Sequence, residues 1–189
     1  IKHANKENKN VIVDPKGDKF EKYKGSFFIT PNAKEAFKAT NIEASNNNLS
    51  EKCGKHIINN KWSKNVLLTR GEYGLSLIEN NIAYHLKSNA QEVFDVTGAG
   101  DTILASLGFA LACNINIDEA VKFANLAAGV VVGKIGSSTV TLNEIIEYES
   151  SINKSSSDQH IRTLNEITKI SRELQIKQKR IIFTNGCFD

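Results

Sequence analysis

The chain has 189 residues, 40% of them apolar and 24% charged, which is enough to bury a core and excludes disorder over most of its length. Twenty-four Lys and Arg against 21 Asp and Glu leave a formal charge of +3, and 20 of the 24 basic residues are Lys scattered along the chain, so no nucleic-acid or anionic-membrane face is expected. The longest uncharged stretch, residues 102–117, is interrupted by Gly108, Asn114 and Asn116 and falls short of the roughly 20 apolar residues a membrane helix needs.

The opening residues IKHANKENKN are polar and lack the apolar segment of a secretory leader. Cys53, Cys113 and Cys187 are odd in number and form no CxxC pair, which reads as reduced thiols in a cytoplasmic protein. The chain begins at Ile1 and contains no Met, which reads as a piece of something longer. Residues 10–14 (NVIVD) and 26–30 (SFFIT) are short β-branched and aromatic runs, each closed by a proline, and predict buried parallel strands. Residues 32–40 (NAKEAFKAT) contain helix formers. Ser50 is a predicted N-cap for a further helix with Cys53, Ile57 and Ile58 at helical spacing, and residues 65–69 (NVLLT) predict a third strand. Residues 73–79 and 82–87 flank Asn80-Asn81 and predict a hairpin.

Residues 98–113 and 118–133 are apolar and rich in small side chains, and they predict two packed helices. Residues 141–149 predict an amphipathic helix in which Thr141 and Glu144 form a capping box. Strands alternating with helices predict an α/β domain over residues 1–149 with a parallel sheet covered on both faces. Residues 150–159 turn to Ser, Asn and Asp and predict a linker, and residues 160–179 predict an amphipathic helix through Ile161, Leu164, Ile167, Ile170 and Leu174. Residues 150–179 thus join the first domain to a strand, residues 180–184 (RIIFT), that opens a second domain represented only by residues 180–189.

The segment with the most chemical content is DVTGAGD, residues 95–101. Gly98, Ala99 and Gly100 allow backbone N–H groups to converge at a helix N-terminus, where the dipole also favours negative charge, so the turn predicts an anion hole. Asp101 then falls in the first helical turn, placed to take a proton from a hydroxyl that attacks a phosphoryl group. Asp95 is positioned to orient the loop or to meet a substrate hydroxyl. A tight turn with a helix-favouring Asp is the bland alternative, and the third glycine of a dinucleotide-binding turn is missing.

The whole string, with an apolar helix behind it, resembles the C-terminal signature of the ribokinase-like sugar kinases, the PfkB family. The resemblance implies a three-layer ribokinase-like α/β fold with ATP and magnesium as cofactors. It implies Asp101 as catalytic base, and Gly98, Ala99 and Gly100 as the amides that stabilise the transferred phosphoryl group. It places Asn32, Ala33, Lys34 and Glu35 at the magnesium and nucleotide phosphates, with Glu35 acting on the metal indirectly. An N-x-x-E of this spacing is equally a helix cap with a surface glutamate. Thr69 and Gly71, in TRGEYG, resemble the family's nucleotide loop, although a hairpin turn is the structural alternative. Asn125 falls near the adenine by the same resemblance, and a satisfied core amide is its other reading. Lys16, in DPKG, is either a phosphate contact or a turn lysine.

VDPKG, ITPNAKE, LTRGEYG and FDVTGAGDT together resemble one branch, the heptose 7-phosphate kinase half of the bifunctional kinase–adenylyltransferases, and FTNGCFD at residues 183–189 looks like the start of the adenylyltransferase. The resemblance implies phosphorylation of a heptose 7-phosphate at C1, on the route to ADP-heptose for the lipopolysaccharide core, and self-association of the intact protein. Nothing in the chain corresponds to the family's N-terminal half, and no H-x-G-H follows FTNGCFD. A kinase for another sugar and a module that binds ATP without turnover remain open on these grounds.

Overall fold

A computed structural model of the chain describes residues 1–90, 93–136, 138–154, 163–176 and 180–182. The chain divides into two compact units, Ile1–Tyr148 and Glu149–Asp189. The first is built on a five-stranded sheet in the order β1 (Ile12–Val13), β2 (Ser26–Ile29), β3 (Ser63–Thr69), β4 (Leu75–Glu79), β5 (Ile82–Leu86). β1, β2 and β3 run parallel, whereas β4 and β5 run antiparallel to their neighbours. The parallel sheet expected from the alternating pattern is therefore corrected to a mixed one, with the expected hairpin, β4 and β5, joined to β3 in antiparallel sense. The cause is connection length, since residues 70–74 and Asn80-Asn81 are too short for the crossover that a parallel return requires. Asn80 and Asn81 sit at φ of 49° and 63°, the left-handed pair that a two-residue hairpin turn needs. Tyr73, expected in the hairpin's first strand, lies instead in a 3-10 turn, Gly71–Tyr73.

Each strand divides its side chains between two cores. Phe28, Leu67, Leu75 and Leu77 point to one face, where α4 (Ala99–Ala112) and α5 (Ile117–Val132) supply Ile103, Leu107, Val121 and Ala124. Ile29, Val66, Leu68 and Ile78 point to the other, covered by α2 (Ala33–Thr40) and α3 (Asn47–Asn59). Both faces are apolar, which is why Val66, Leu67 and Leu68 in β3 read as a continuous run and not as an alternation. Gly54 lets α3 lie close to the sheet, because a Cβ there would stand 2.5 Å from Ile78 Cγ1. A short helix, α1 (Lys2–Lys6), precedes β1 and was not expected; Asn5 Nδ2 donates to Gly25 O at 2.9 Å.

Caps account for most helix starts. α3 begins four residues earlier than expected, capped by Asn46, whose Oδ1 accepts from Leu49 N at 2.9 Å. Ser50 is not a cap: it is buried, and its hydroxyl donates to Ala44 O at 3.2 Å. Asn116 caps α5 through Glu119 N, also at 2.9 Å. α6 (Leu142–Lys154) starts on the expected capping box, with Glu144 N on Thr141 Oγ1 at 3.3 Å and Thr141 N on Glu144 Oε2 at 2.8 Å.

The second unit contains α7 (Leu164–Ile176), with Leu164, Ile167 and Ile170 exposed along one stripe. The linker expected over residues 150–159 is helical through Lys154, the end of α6, and its remainder lies outside the described residues. The ends of the expected 160–179 helix, residues 160–162 and 177–179, also lie outside them, as does FTNGCFD. Residues 180–182, expected to begin a strand, show no strand pairing.

Candidate active site

The carboxyl ends of β1, β2 and β3 open into one cavity of about 830 Å³, closed on its other side by the start of α4 and by α5. Ligands of open α/β sheets collect at this position because the strand ends leave loops and helix N-termini free to point at them. The sheet brings together residues that are distant in sequence. Lys16, Asn32, Glu35, Thr69, Gly71, Asn125 and the residues 98–101 all line this cavity, as do Ala33 and Lys34.

Gly98 takes φ of 82° and is the N-cap of α4, with no side chain satisfying the first amides. The Ala99 N–H makes only a long bond, 3.3 Å to Val96 O. Among the described residues the Gly98, Gly100 and Asp101 amides have no hydrogen-bond partner, and a Cβ at Gly100 would meet nothing within 4 Å. Unengaged donors and the positive end of a 14-residue helix therefore face the cavity at one point. Asp101, the third residue of α4, is exposed at the same turn.

Asp95 braces this turn. Its Oδ1 accepts from Thr97 N at 2.8 Å, and hydrogen bonds from the Thr97 hydroxyl and amide hold its carboxyl below the usual aspartate range. Asp95 is not part of the cavity lining, so of the two roles considered for it the contacts describe loop orientation.

Asn32 and Glu35 form a complete capping box at α2, with Glu35 N on Asn32 Oδ1 and Asn32 N on Glu35 Oε2, each at 2.9 Å. The box engages Glu35 through Oε2 and leaves Oε1 toward Lys16 Nζ, 3.7 Å away. Lys16 Nζ lies 2.7 Å from Asp14 Oδ2. That hydrogen bond, then the Asp14 charge, raises the Lys16 ammonium above the ordinary lysine value, with further contributions of the same sign from Glu35 and Asp101. Magnesium fits this wall through Glu35 Oε1, the oxygen that the capping box does not use. Among the described residues no group of three acidic, His or Cys side chains could hold a metal alone, which leaves water and phosphate oxygens as the other ligands, the usual habit of this ion.

The loop after β3 is shaped by two glycines. Gly71, at φ of 59°, opens onto free space, and Gly74, at 80°, lies so close to the backbone of Leu86, Lys87 and Ser88 that any side chain would overlap it. Thr69 N donates to Pro31 O at 3.0 Å, tying this loop to the start of α2. Asn125 is buried, its Nδ2 donates to Lys87 O at 2.9 Å, and it also lines the cavity, so the core-amide and cavity readings meet in one side chain.

Two contributors have no counterpart among the residues singled out in the sequence. Arg70 is 9% exposed, donates from Nη1 to Asn47 Oδ1 at 2.9 Å and from Nη2 to Tyr73 O at 3.1 Å, and lines the cavity. Its place between a strand and a glycine loop was the available signal. Tyr148 Oη donates to Asn89 O at 2.5 Å while its ring packs on Gly129. With Asn125, it holds the 87–90 wall at two carbonyls, and its own pairing spans 59 residues, which no local pattern announces.

Over residues 1–144 the sequence matches the pfkB family carbohydrate kinases. The bifunctional protein HldE of Aliarcobacter butzleri (strain RM4018) is 50% identical over 197 residues, covering 100% of this chain and 40% of that protein. The chain spans about two-fifths of the length of the curated relatives it matches. Phosphofructokinase-2 from Escherichia coli in complex with potassium superposes with a TM-score of 0.71 at 20% identity, covering 80% of this chain and 50% of that one. Arabidopsis thaliana ribokinase complexed with ribose and ATP gives a TM-score of 0.70 at 23% identity, over 78% and 49%. These two likenesses are of fold, and they make the three-layer arrangement ribokinase-like.

Proposed function

We propose that this chain, which belongs to the pfkB family of carbohydrate kinases, carries the phosphoryl-transfer machinery of an ATP-dependent kinase acting on D-glycero-beta-D-manno-heptose 7-phosphate at C1 to give the 1,7-bisphosphate. The observation that carries the reading is the α4 turn: Gly98 in a left-handed conformation, unengaged amides and Asp101 together, facing Glu35 and Lys16 within one cavity. The choice of heptose rests on VDPKG, ITPNAKE, LTRGEYG and FDVTGAGDT taken together, and it is supported by the likeness to HldE over the whole chain.

In this reading Asp101 accepts the proton of the C1 hydroxyl as its oxygen bonds to the γ-phosphorus, and ADP leaves with the electrons of the cleaved bond. The amides of Gly98 and Gly100, aided by Ala99, donate to the phosphoryl oxygens where charge accumulates, and they are already oriented before the reaction begins. Magnesium, when bound, neutralises charge on the ATP oxygens. Glu35 presents Oε1 to that wall while Asn32 fixes its carboxylate, with Ala33 and Lys34 beside the phosphates. Thr69 and Gly71 bring backbone close to the nucleotide, and Asn125 sets the wall beside the adenine through Lys87. Transfer of AMP to make ADP-heptose for the lipopolysaccharide core belongs to the adenylyltransferase part of a bifunctional protein that self-associates in the cytoplasm. Among the described residues no helix is long and apolar enough to cross a membrane.

The test is heptose-dependent ADP release by the protein expressed from its full reading frame, wild type against Asp101→Asn. The substitution keeps shape and removes the proton acceptor, so the rate is expected to fall by about 10²–10⁴-fold. An undiminished rate would move the base elsewhere, and a wild-type rate indifferent to heptose phosphate would reassign the sugar.

A further inference from the structure

Lys16 stands among three carboxylates that come from three separate segments: Asp14 at the end of β1, Glu35 in α2 and Asp101 in α4. Its backbone is fixed. The Lys16 N–H donates to Tyr23 Oη at 2.9 Å, and its carbonyl accepts from Lys22 Nζ at 2.7 Å and from Tyr23 Oη at 3.3 Å. Its side chain is 72% exposed and is directed inward only by charge, at 2.7 Å from Asp14 and 3.7 Å from Glu35. A lysine whose task was to close the turn would need Asp14 alone; the reach toward Glu35, on a different strand–helix unit, is left without a purpose.

Glu35 gives that reach a meaning. Its Oε2 is engaged by Asn32 N, and Oε1, the oxygen turned to Lys16, is the one with which this residue can meet a cation. An ammonium and a divalent ion repel each other and cannot both occupy the vicinity of one carboxylate oxygen without cost. Without any cation, three carboxylates would confront the incoming polyphosphate.

Building on the kinase reading, we propose that Lys16 is a positioning residue that exchanges partners. Its ammonium neutralises Glu35 and Asp14 while the site holds no nucleotide, and it gives up Glu35 to the magnesium that accompanies the nucleotide while staying tethered at Asp14. The asymmetry of the two contacts suits the exchange, because the shorter bond is kept and the longer one is released. Lys16 is thereby a competitor of magnesium for Glu35, and the consequence is measurable without turnover.

Magnesium is titrated calorimetrically into the full-length protein in the presence of a saturating non-hydrolysable ATP analogue, for wild type, Lys16→Gln and Lys16→Arg. Removing the competitor is expected to lower the half-saturating magnesium concentration several-fold in Lys16→Gln, and Lys16→Arg, which keeps the charge, is expected to return it to the wild-type value. An unchanged or higher midpoint in Lys16→Gln would overturn the exchange while leaving the kinase reading intact. Failure of the wild-type protein to bind the analogue at all would overturn the kinase reading, and the exchange with it.

Discussion

Arg70 is a buried cation without a carboxylate partner among the described residues, and it ties two segments of the fold together. Its guanidinium joins Asn47, at the start of α3, to Tyr73 O in the glycine loop, while Nε stays buried without a hydrogen-bond partner. Burial pushes the guanidinium below its ordinary pKa, and its charge adds to burial in holding the nearby His85 imidazole low. The two hydrogen bonds made and the one donor left unmet work against each other, so the net contribution to stability is on the order of 1 kcal/mol. The larger effect falls on the loop, which loses its tie to α3. Arg70→Met is therefore expected to raise KM for ATP several-fold with kcat within about twofold, the pattern of lost binding common to ground and transition states. A fall in kcat at constant KM would place Arg70 in the transfer step instead. Glu35 illustrates how one residue serves two readings. The three-residue spacing to Asn32 forms a helix cap and leaves Oε1 at the cavity, so the sequence pattern could not separate the cap from the cation site that we propose for the same side chain.

The start of α6 shows at the scale of an element what a capping box gains from tertiary context. Glu144 receives hydrogen bonds from the Thr141 backbone and hydroxyl, and Lys134 Nζ lies 2.6 Å from its Oε1. The Lys134 bond first, then the Thr141 bonds, lower the carboxyl from 4.5 to about 2. A carboxylate whose folded pKa lies below its unfolded one stabilises the fold above the unfolded value and loses that contribution as pH falls through the folded one. The advantage of wild type over Glu144→Gln in thermal midpoint is thus expected to be constant above about pH 5.5 and to shrink between pH 4.5 and about 2. A difference that is flat across that range would show the bonds to be idle in solution. The box itself was legible because Thr141 and Glu144 are three apart, whereas Lys134 was not, since nothing local ties it to the helix. The start of α3 was misread for a related reason. Asn46 and Ser50 offer the same capping chemistry, and only burial of Ser50 against Ala44 O decides between them.

For the molecule as a whole, legibility followed sequence distance. Two consecutive asparagines announced the hairpin, and two glycines ahead of an apolar run announced α4. The antiparallel direction of β4 against β3 was missed, although the connection at residues 70–74 is too short for a crossover. The site's couplings are another matter. Lys16 meets Glu35 across 19 residues and Tyr148 meets Asn89 across 59, distances over which only the sheet's order brings groups together. Every residue of the cavity wall lies between Asp14 and Val132, inside the first unit. Binding of nucleotide should accordingly protect one part of the chain. In hydrogen exchange on the full-length protein with magnesium and an ATP analogue, the amides of Gly98, Gly100 and Asp101 are expected to slow most, because among the described residues they have no partner until a phosphate supplies one, with Ala99, held only by its long bond to Val96 O, close behind. The 69–74 loop and the 87–90 wall should follow to a smaller degree, since their amides gain order but few new bonds. Unaltered exchange at residues 98–101 beside protection of the other two segments would separate nucleotide binding from the α4 turn and leave that turn as a helix start alone.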